Sequence, residues 1–171
     1  MARKKKRKLS KKRERANYKI PLVTLLILIF LSFVTLAIID LIDVSGYVEA
    51  NVLEISGTTI IVGNNCTAII AETSPERAYS IDLGIRGIIE ERPNTHDTFI
   101  AAMKSFNITL ESIQIENFNG RYYSASLFLM SDNKVSKIDT KPSDAIALAL
   151  RMNSPIYINK TLLEEVGKNI C

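Results

Sequence analysis

The run Ile138-Asp139-Thr140-Lys141-Pro142-Ser143-Asp144-Ala145-Ile146-Ala147-Leu148-Ala149-Leu150-Arg151 changes its backbone period at Lys141-Pro142. Lys134 to Asp139 reads as a strand. Pro142 suits the first turn of a helix, where a missing N–H costs nothing, and Asp144 complements the positive end of the helix dipole. Ser143 to Met152 is apolar on most sides, so that helix is expected at the centre of a core. Pro155 to Ile158 reads as a short strand beyond it. Upstream lie two strands, Ile108–Glu116 and Arg121–Met130. They are joined by Asn117-Phe118-Asn119-Gly120, whose Asn-Gly step signals a hairpin, and Asp132-Asn133 makes the next turn. A helix begins near Thr95 or Asp97, after Arg92-Pro93, with Phe99, Ile100, Met103 and Phe106 on one face. Ser74-Pro75-Glu76 opens another, running to about Leu83 and stopped by Gly84 or Gly87. Tyr47 to Ile55 alternates apolar and polar, turns at Gly57-Thr58 into Thr59–Val62, and Cys66–Ala71 makes a third strand. Thr161–Gly167 closes the chain as a helix. Antiparallel or mixed strands interrupted by about four helices predict one compact α+β domain over residues 46–171.

What precedes the domain has a different composition. Of the 171 residues 47% are hydrophobic, which excludes a disordered chain. Residues 1–19 hold 11 of the 22 Lys and Arg and one acid, a local net charge of +10. Residues 46–171 carry 11 basic and 15 acidic side chains, a net of −4. Between them Ile20 to Ile39 is 20 residues without a charge, roughly 30 Å as a helix and enough to span a bilayer core. A transmembrane helix is therefore expected over 20–42. A cleaved signal peptide would fit the small residues Val44-Ser45-Gly46, but its apolar core is usually only about 7–15 residues. The basic flank predicts a cytoplasmic tail at 1–19 and an extracytoplasmic domain, tethered to the cell membrane by a single pass. The tail serves as a topology determinant, or binds a polyanion such as lipid or nucleic acid. Cys66 and Cys171 either form one disulfide outside the cytoplasm or stay as thiols.

The familiar signatures of P-loops, serine hydrolases, zincins and zinc ribbons are absent, and a lone His96 cannot build a multi-histidine metal site. A local pattern occurs twice instead. Arg92-Pro93-Asn94-Thr95-His96-Asp97 and Lys141-Pro142-Ser143-Asp144 each place a cation, a proline, a hydroxyl and a carboxylate where a helix begins. Helix starts attract anions, and an adjacent cation adds fixed charge, so phosphate suits either junction. Capping alone accounts better for Thr95, Ser143 and Pro142, with no ligand at all. His96 exceeds what a cap needs, and imidazole suits proton transfer near neutral pH.

In order and approximate spacing, Arg92-Pro93-x-Thr95-His96-Asp97, Asn119-Gly120-Arg121-Tyr122-Tyr123-Ser124-Ala125, the 138–151 run and Pro155-Ile156-Tyr157-Ile158 together resemble the bifunctional nuclease (BFN) domain family over about residues 47–166. The resemblance implies an α+β nuclease acting on DNA, RNA or both. It departs from that family at Thr140-Lys141, where Ala-Arg is common, and over residues 63–73. Carried over position by position, His96, Asp97, Asp139 and Asp144 are catalytic candidates, and Arg92, Thr95, Lys141 and Ser143 phosphate-binding ones. Asp97, Asp139 and Asp144 are candidate ligands for Mg²⁺ or Mn²⁺ through oxygen. Arg121 and Lys137 would join Arg92 and Lys141 in a cationic cluster if the fold gathers them. The expected partners are nucleic acid, the lipid bilayer and, with no sequence feature that fixes it, a second copy of the chain as a homo-oligomer. The alternative is a membrane-tethered binding or assembly module that keeps the fold without catalysis, favoured by a net acidic domain that faces away from cytoplasmic nucleic acid.

Overall fold

The computed structural model describes residues 24–27, 42–132 and 134–171. The expected basic tail lies outside the described residues, as does Asn133. So does the expected transmembrane helix over 20–42, apart from residue 42 and the helical stretch 24–27. Among the described residues no helix is long and apolar enough to cross a membrane. Residues 42–171 belong to a compact unit, Leu41–Cys171. In chain order its elements are β1 (Tyr47–Ser56), β2 (Thr59–Asn64), β3 (Thr67–Glu72), α1 (Pro75–Arg86), α2 (Thr95–Ser105), β4 (Thr109–Phe118) and β5 (Tyr123–Ser131). They continue with β6 (Lys134–Thr140), α3 (Pro142–Met152), β7 (Ile156–Asn159), α4 (Lys160–Val166) and β8 (Lys168–Asn169). The α+β class holds, and so do four helices in this unit.

The eight strands make one sheet in the order β6-β5-β4-β7-β1-β2-β3-β8. Every pairing is antiparallel except β4 with β7. That exception follows from α3. Instead of turning back as a hairpin, the chain leaves β6 through a helix that crosses over β5 and β4, and so sets β7 down parallel to β4. The short β8 is an element the sequence pattern does not suggest. The Cys66–Cys171 disulfide ties the residue just before β3 to Cys171, just beyond β8.

Ala145, Ile146, Ala147, Leu148 and Ala149 of α3 are all at most 4% exposed, against Ile113, Ile115, Ala125 and Leu127 of the sheet. The small alanines let the helix lie close to the strands. Ile113 and Ile158 are fully buried, and truncating either to alanine is expected to cost about 2–5 kcal/mol.

Helix α1 runs to Arg86, through Gly84, instead of ending at Leu83. Gly84 marks a close approach: a Cβ there would meet Arg151 Nη1 at 2.9 Å and Leu150 Cβ at 3.2 Å. The stop is Gly87, whose φ of 63° closes the last turn with its N–H bonded to Gly84 O. Hydroxyl capping is also corrected. Asn94 caps α2, its Oδ1 accepting from the His96 and Asp97 amides, while Asp97 Oδ2 accepts from the Asn94 amide. Thr95 is simply the first helical residue. At α3 the cap position is Lys141, with no side-chain cap, so Ser143 is not spent on the helix start.

Alternation along the strands gives the sheet two faces. Ile115, Ala125, Leu127, Ile138 and Thr140 share the helix-covered face through the pairings Ile115–Ala125, Leu127–Ile138 and Ala125–Thr140. Gln114, Ser126, Lys137 and Asp139 share the opposite face.

Candidate functional site

On the helix-covered side a cleft of about 570 Å³ opens between β2 and β3, the β4–β5 hairpin and the start of α3. Its floor is apolar: Ile60, Val62, Ile69, Ile115 and Ile146. Three cations line it, Arg77 from α1, Arg121 from the hairpin and Lys141 from the cap position of α3, against one acid, Glu72. Glu72 is held by the hydroxyls of Thr58 and Thr59 at 2.7 and 2.5 Å, and those bonds lower its pKa. The hairpin is built for exposure. Asn119 Oδ1 accepts from the Arg121 and Tyr122 amides and Gly120 adopts a φ of 86°, leaving both side chains out of the ladder. Arg121 lies over the Tyr122 ring, 4.9 Å from its centroid. Pro142 and Ser143 complete the rim, and among the described residues the Ser143 hydroxyl has no hydrogen-bond partner.

The two proline-led helix starts do meet. His96 at the head of α2 places Nε2 3.5 Å from Asp144 Oδ1 at the head of α3, and Arg77 Nε lies 3.8 Å from the same oxygen. Asp144 is one-third exposed and His96 17%. Through Arg77 and the neighbouring Ser143, Asp144 adjoins the cleft. Behind His96 stands Ser80, buried in α1, whose Oγ is 2.9 Å from His96 Nδ1. Arg151 Nη2 and Asn94 Nδ2 both donate to that hydroxyl, at 3.2 and 3.4 Å. Its own proton is thus left for Nδ1, and the network assigns His96 the tautomer with N–H on Nε2, directed at Asp144. Burial lowers the His96 pKa, only partly opposed by Asp144, which keeps the imidazole neutral at physiological pH.

Asp97 turns the other way. Its carboxylate receives Arg151 Nε at 2.7 Å, and the two side chains are 5% and 7% exposed. The rest of that guanidinium bonds the carbonyls of Ser80 and Ala147. Asp97 therefore fastens α2 to α3 and α1, and does not face the cleft. Asp139 is exposed on the opposite face of the sheet, paired in register with Ser126. Asp97, Asp139 and Asp144 are thus not gathered as one ligand set, and among the described residues no group of three or more His, Cys, Asp or Glu could hold a metal ion. Lys137 lies on the Asp139 side, bonded to Glu116 at 2.6 Å, and Arg92 and Thr95 are exposed away from the cleft lining. Of the expected cationic cluster only Arg121 and Lys141 converge. Arg77, Ser80 and Arg151, which the spacing did not single out, complete the arrangement. Arg77 looks in sequence like an ordinary first-turn residue, and Arg151 like a dipole-complementing basic residue in a last turn.

Such a site can bind an anion on three cations and present a carboxylate, flanked by His96 and Arg77, to a water beside it. A family model described as the bifunctional nuclease domain matches residues 64–170. Two Mycobacterium tuberculosis proteins, each bearing the description "Uncharacterized protein" (Rv1829 and MT1877), are 31% identical to the chain over 91 residues, 53% of its length. The matched stretch also spans about half the length of those curated relatives, 53%.

Proposed function

Because the chain belongs to the bifunctional nuclease domain family, we propose that it hydrolyses phosphodiester bonds of DNA or RNA in the cleft beside Asp144. The observation that carries this reading is the convergence of Arg77, Arg121 and Lys141 next to the His96–Asp144 contact. Arg77, Arg121 and Lys141 neutralise the non-bridging oxygens, where charge develops as water adds. Asp144 accepts the proton of that water as general base. His96, with both nitrogens engaged, is a positioning residue: its Nε2–H aims the carboxylate. Water attacks phosphorus, the bond to the leaving oxygen breaks, and that oxygen takes a proton from solvent at the open rim. Since the carboxylates do not assemble a cluster for Mg²⁺ or Mn²⁺, no step is routed through either ion. Arg92 and Thr95, exposed near the head of α2, are at most contacts for more distant phosphates.

We further propose that the domain works outside the cytoplasm, tethered to the cell membrane through residues 20–42. The Cys66–Cys171 disulfide supports this, since disulfides persist in oxidising compartments. The test is cleavage of single-stranded DNA and RNA by the full chain, with and without EDTA, beside Asp144→Asn. Activity unaffected by Asp144→Asn would remove the assignment of the base. A second reading, tethered binding without catalysis, is favoured by the domain's net charge of −4, and binding with no cleavage under any metal condition would establish it.

A further inference from the structure

We infer that the cleft takes an unpaired base of a single strand, with its phosphate on the cationic rim, and does not accept an intact duplex. This rests on the nuclease reading above and names the substrate class of the same site. A groove that only tracked a phosphate backbone would need cations and little else. Here cations occupy the rim alone, and the floor is Ile60, Val62, Ile69, Ile115 and Ile146. Such a surface offers no hydrogen bonds to base edges, but it suits the flat, weakly hydrated face of a base. In a duplex those faces are stacked on one another, and a base reaches a pocket only when flipped out or already single-stranded.

The aromatic group at the mouth points to the same occupant. Tyr122 is 58% exposed at the cleft, a large unburied ring. Tyr123 is braced by Phe118, with ring centroids 4.5 Å apart. Arg121 over Tyr122 keeps a guanidinium beside the ring. An aromatic ring, an adjacent arginine and an apolar floor form a stacking platform for unpaired bases. The volume of about 570 Å³ falls within the roughly 300–1,000 Å³ typical of small-ligand clefts.

The test is photo-cross-linking of the full chain to a single-stranded oligonucleotide bearing one 5-iodouracil, and to the same strand annealed to its complement. Tryptic mapping separates attachment in the cleft from attachment to the basic tail. The expected result is a cross-link on the peptide beginning at Tyr122 with the single strand, falling about 10-fold on annealing and about 10-fold in Tyr122→Ala, the loss of one stacking platform. Tyr122→Phe should retain it, because the ring and not the hydroxyl does the stacking. Equal cross-linking of the duplex in the cleft, or single-strand cross-links confined to residues 1–19, would overturn the inference. Cleavage is followed in parallel. A single-strand cross-link at Tyr122 without cleavage supports the inference and removes the nuclease reading, whereas equal cleavage of both substrates leaves a nuclease and removes the inference.

Discussion

The heads of α2 and α3 are nearly the same phrase in sequence, Arg-Pro-Asn-Thr-His-Asp and Lys-Pro-Ser-Asp, yet the fold uses them in opposite ways. At α2 the polar groups are consumed: Asn94 caps, Asp97 closes the cap and anchors Arg151, and His96 leans on Ser80. At α3 they are left over. Lys141 and Ser143 face the cleft, and Asp144 stays one-third exposed, contacted by His96 and Arg77. Residue type at a helix start therefore does not separate architecture from chemistry. What separates them is whether the fold supplies an internal partner. Asp97 meets a buried arginine 54 positions away, and Asp144 meets one imidazole and an exposed guanidinium.

The sharpest way to break this comparison is Asp97→Ala. It leaves the Arg151 guanidinium buried without its counter-charge, and a loss of about 3–5 kcal/mol in unfolding free energy is expected, read from denaturant melts. Replacing both partners, as Asp97→Leu with Arg151→Met, should recover much of that loss, because the cost lies in the unpaired buried charge. If Asp97→Ala instead left stability intact and abolished cleavage, the roles given to the two heads would be reversed.

Asp144→Asn is the complementary experiment. Its ion pair with Arg77 is long and exposed, so stability should move by less than about 1 kcal/mol. Cleavage should fall by about 100-fold or more, the usual contribution of a positioned general base. A comparable loss of stability would mean that Asp144, like Asp97, only holds helices together.

Most of the architecture was legible because it rests on local rules. The Lys141-Pro142 junction, the Asn119-Gly120 hairpin and the all-round apolar α3 each announce themselves within a few residues. What escaped depends on tertiary contact. Gly84 reads as a stop, yet it lets α1 approach Leu150 and Arg151. Two-residue β8 has no period to read and exists beside β3, next to a disulfide whose partner is 105 residues away. In the site, His96 and Asp144 stand out each at its own helix start, but the contact between them and the part played by Arg77, Ser80 and Arg151 are made only in three dimensions. Asp139 joins Asp144 as a candidate through the resemblance, five positions before it in the same 138–151 run. An odd residue in an alternating strand lies on one face and its neighbours on the other, so proximity in sequence became opposition in space.

His96 gives a subtler discrimination, through pH. Burial holds its pKa below the ordinary value of 6.5, so below that pH the unfolded chain binds the proton more readily than the folded one. Stability should therefore fall as pH drops from about 6.5 through the lowered folded value. Denaturant midpoints at pH 7.5, 6.5 and 5.5 should show a shallower acid loss in His96→Gln than in the parent. Parallel curves would mean that the imidazole is not held neutral between Ser80 and Asp144, and the orientation assigned to its Nε2–H would go with it.

The smallest expected effect is the most economical test of which face of the sheet reacts. Asp139 is exposed on edge strand β6, beside Ser126, with the thickness of the sheet between it and the cleft. Asp139→Asn breaks no buried pair and empties no core volume, so stability should stay within about 0.5 kcal/mol. Since it neither lines the cleft nor touches Arg77 or His96, cleavage should change less than about 2-fold, far from the 100-fold set for Asp144→Asn. The two carboxylates sit five residues apart and carry the same charge, so any long-range electrostatic influence on a nucleic-acid strand would affect both substitutions alike. Only local contact predicts that one substitution abolishes cleavage and the other does not. Equal losses would move the reactive surface to the Lys137–Glu116 side of the sheet.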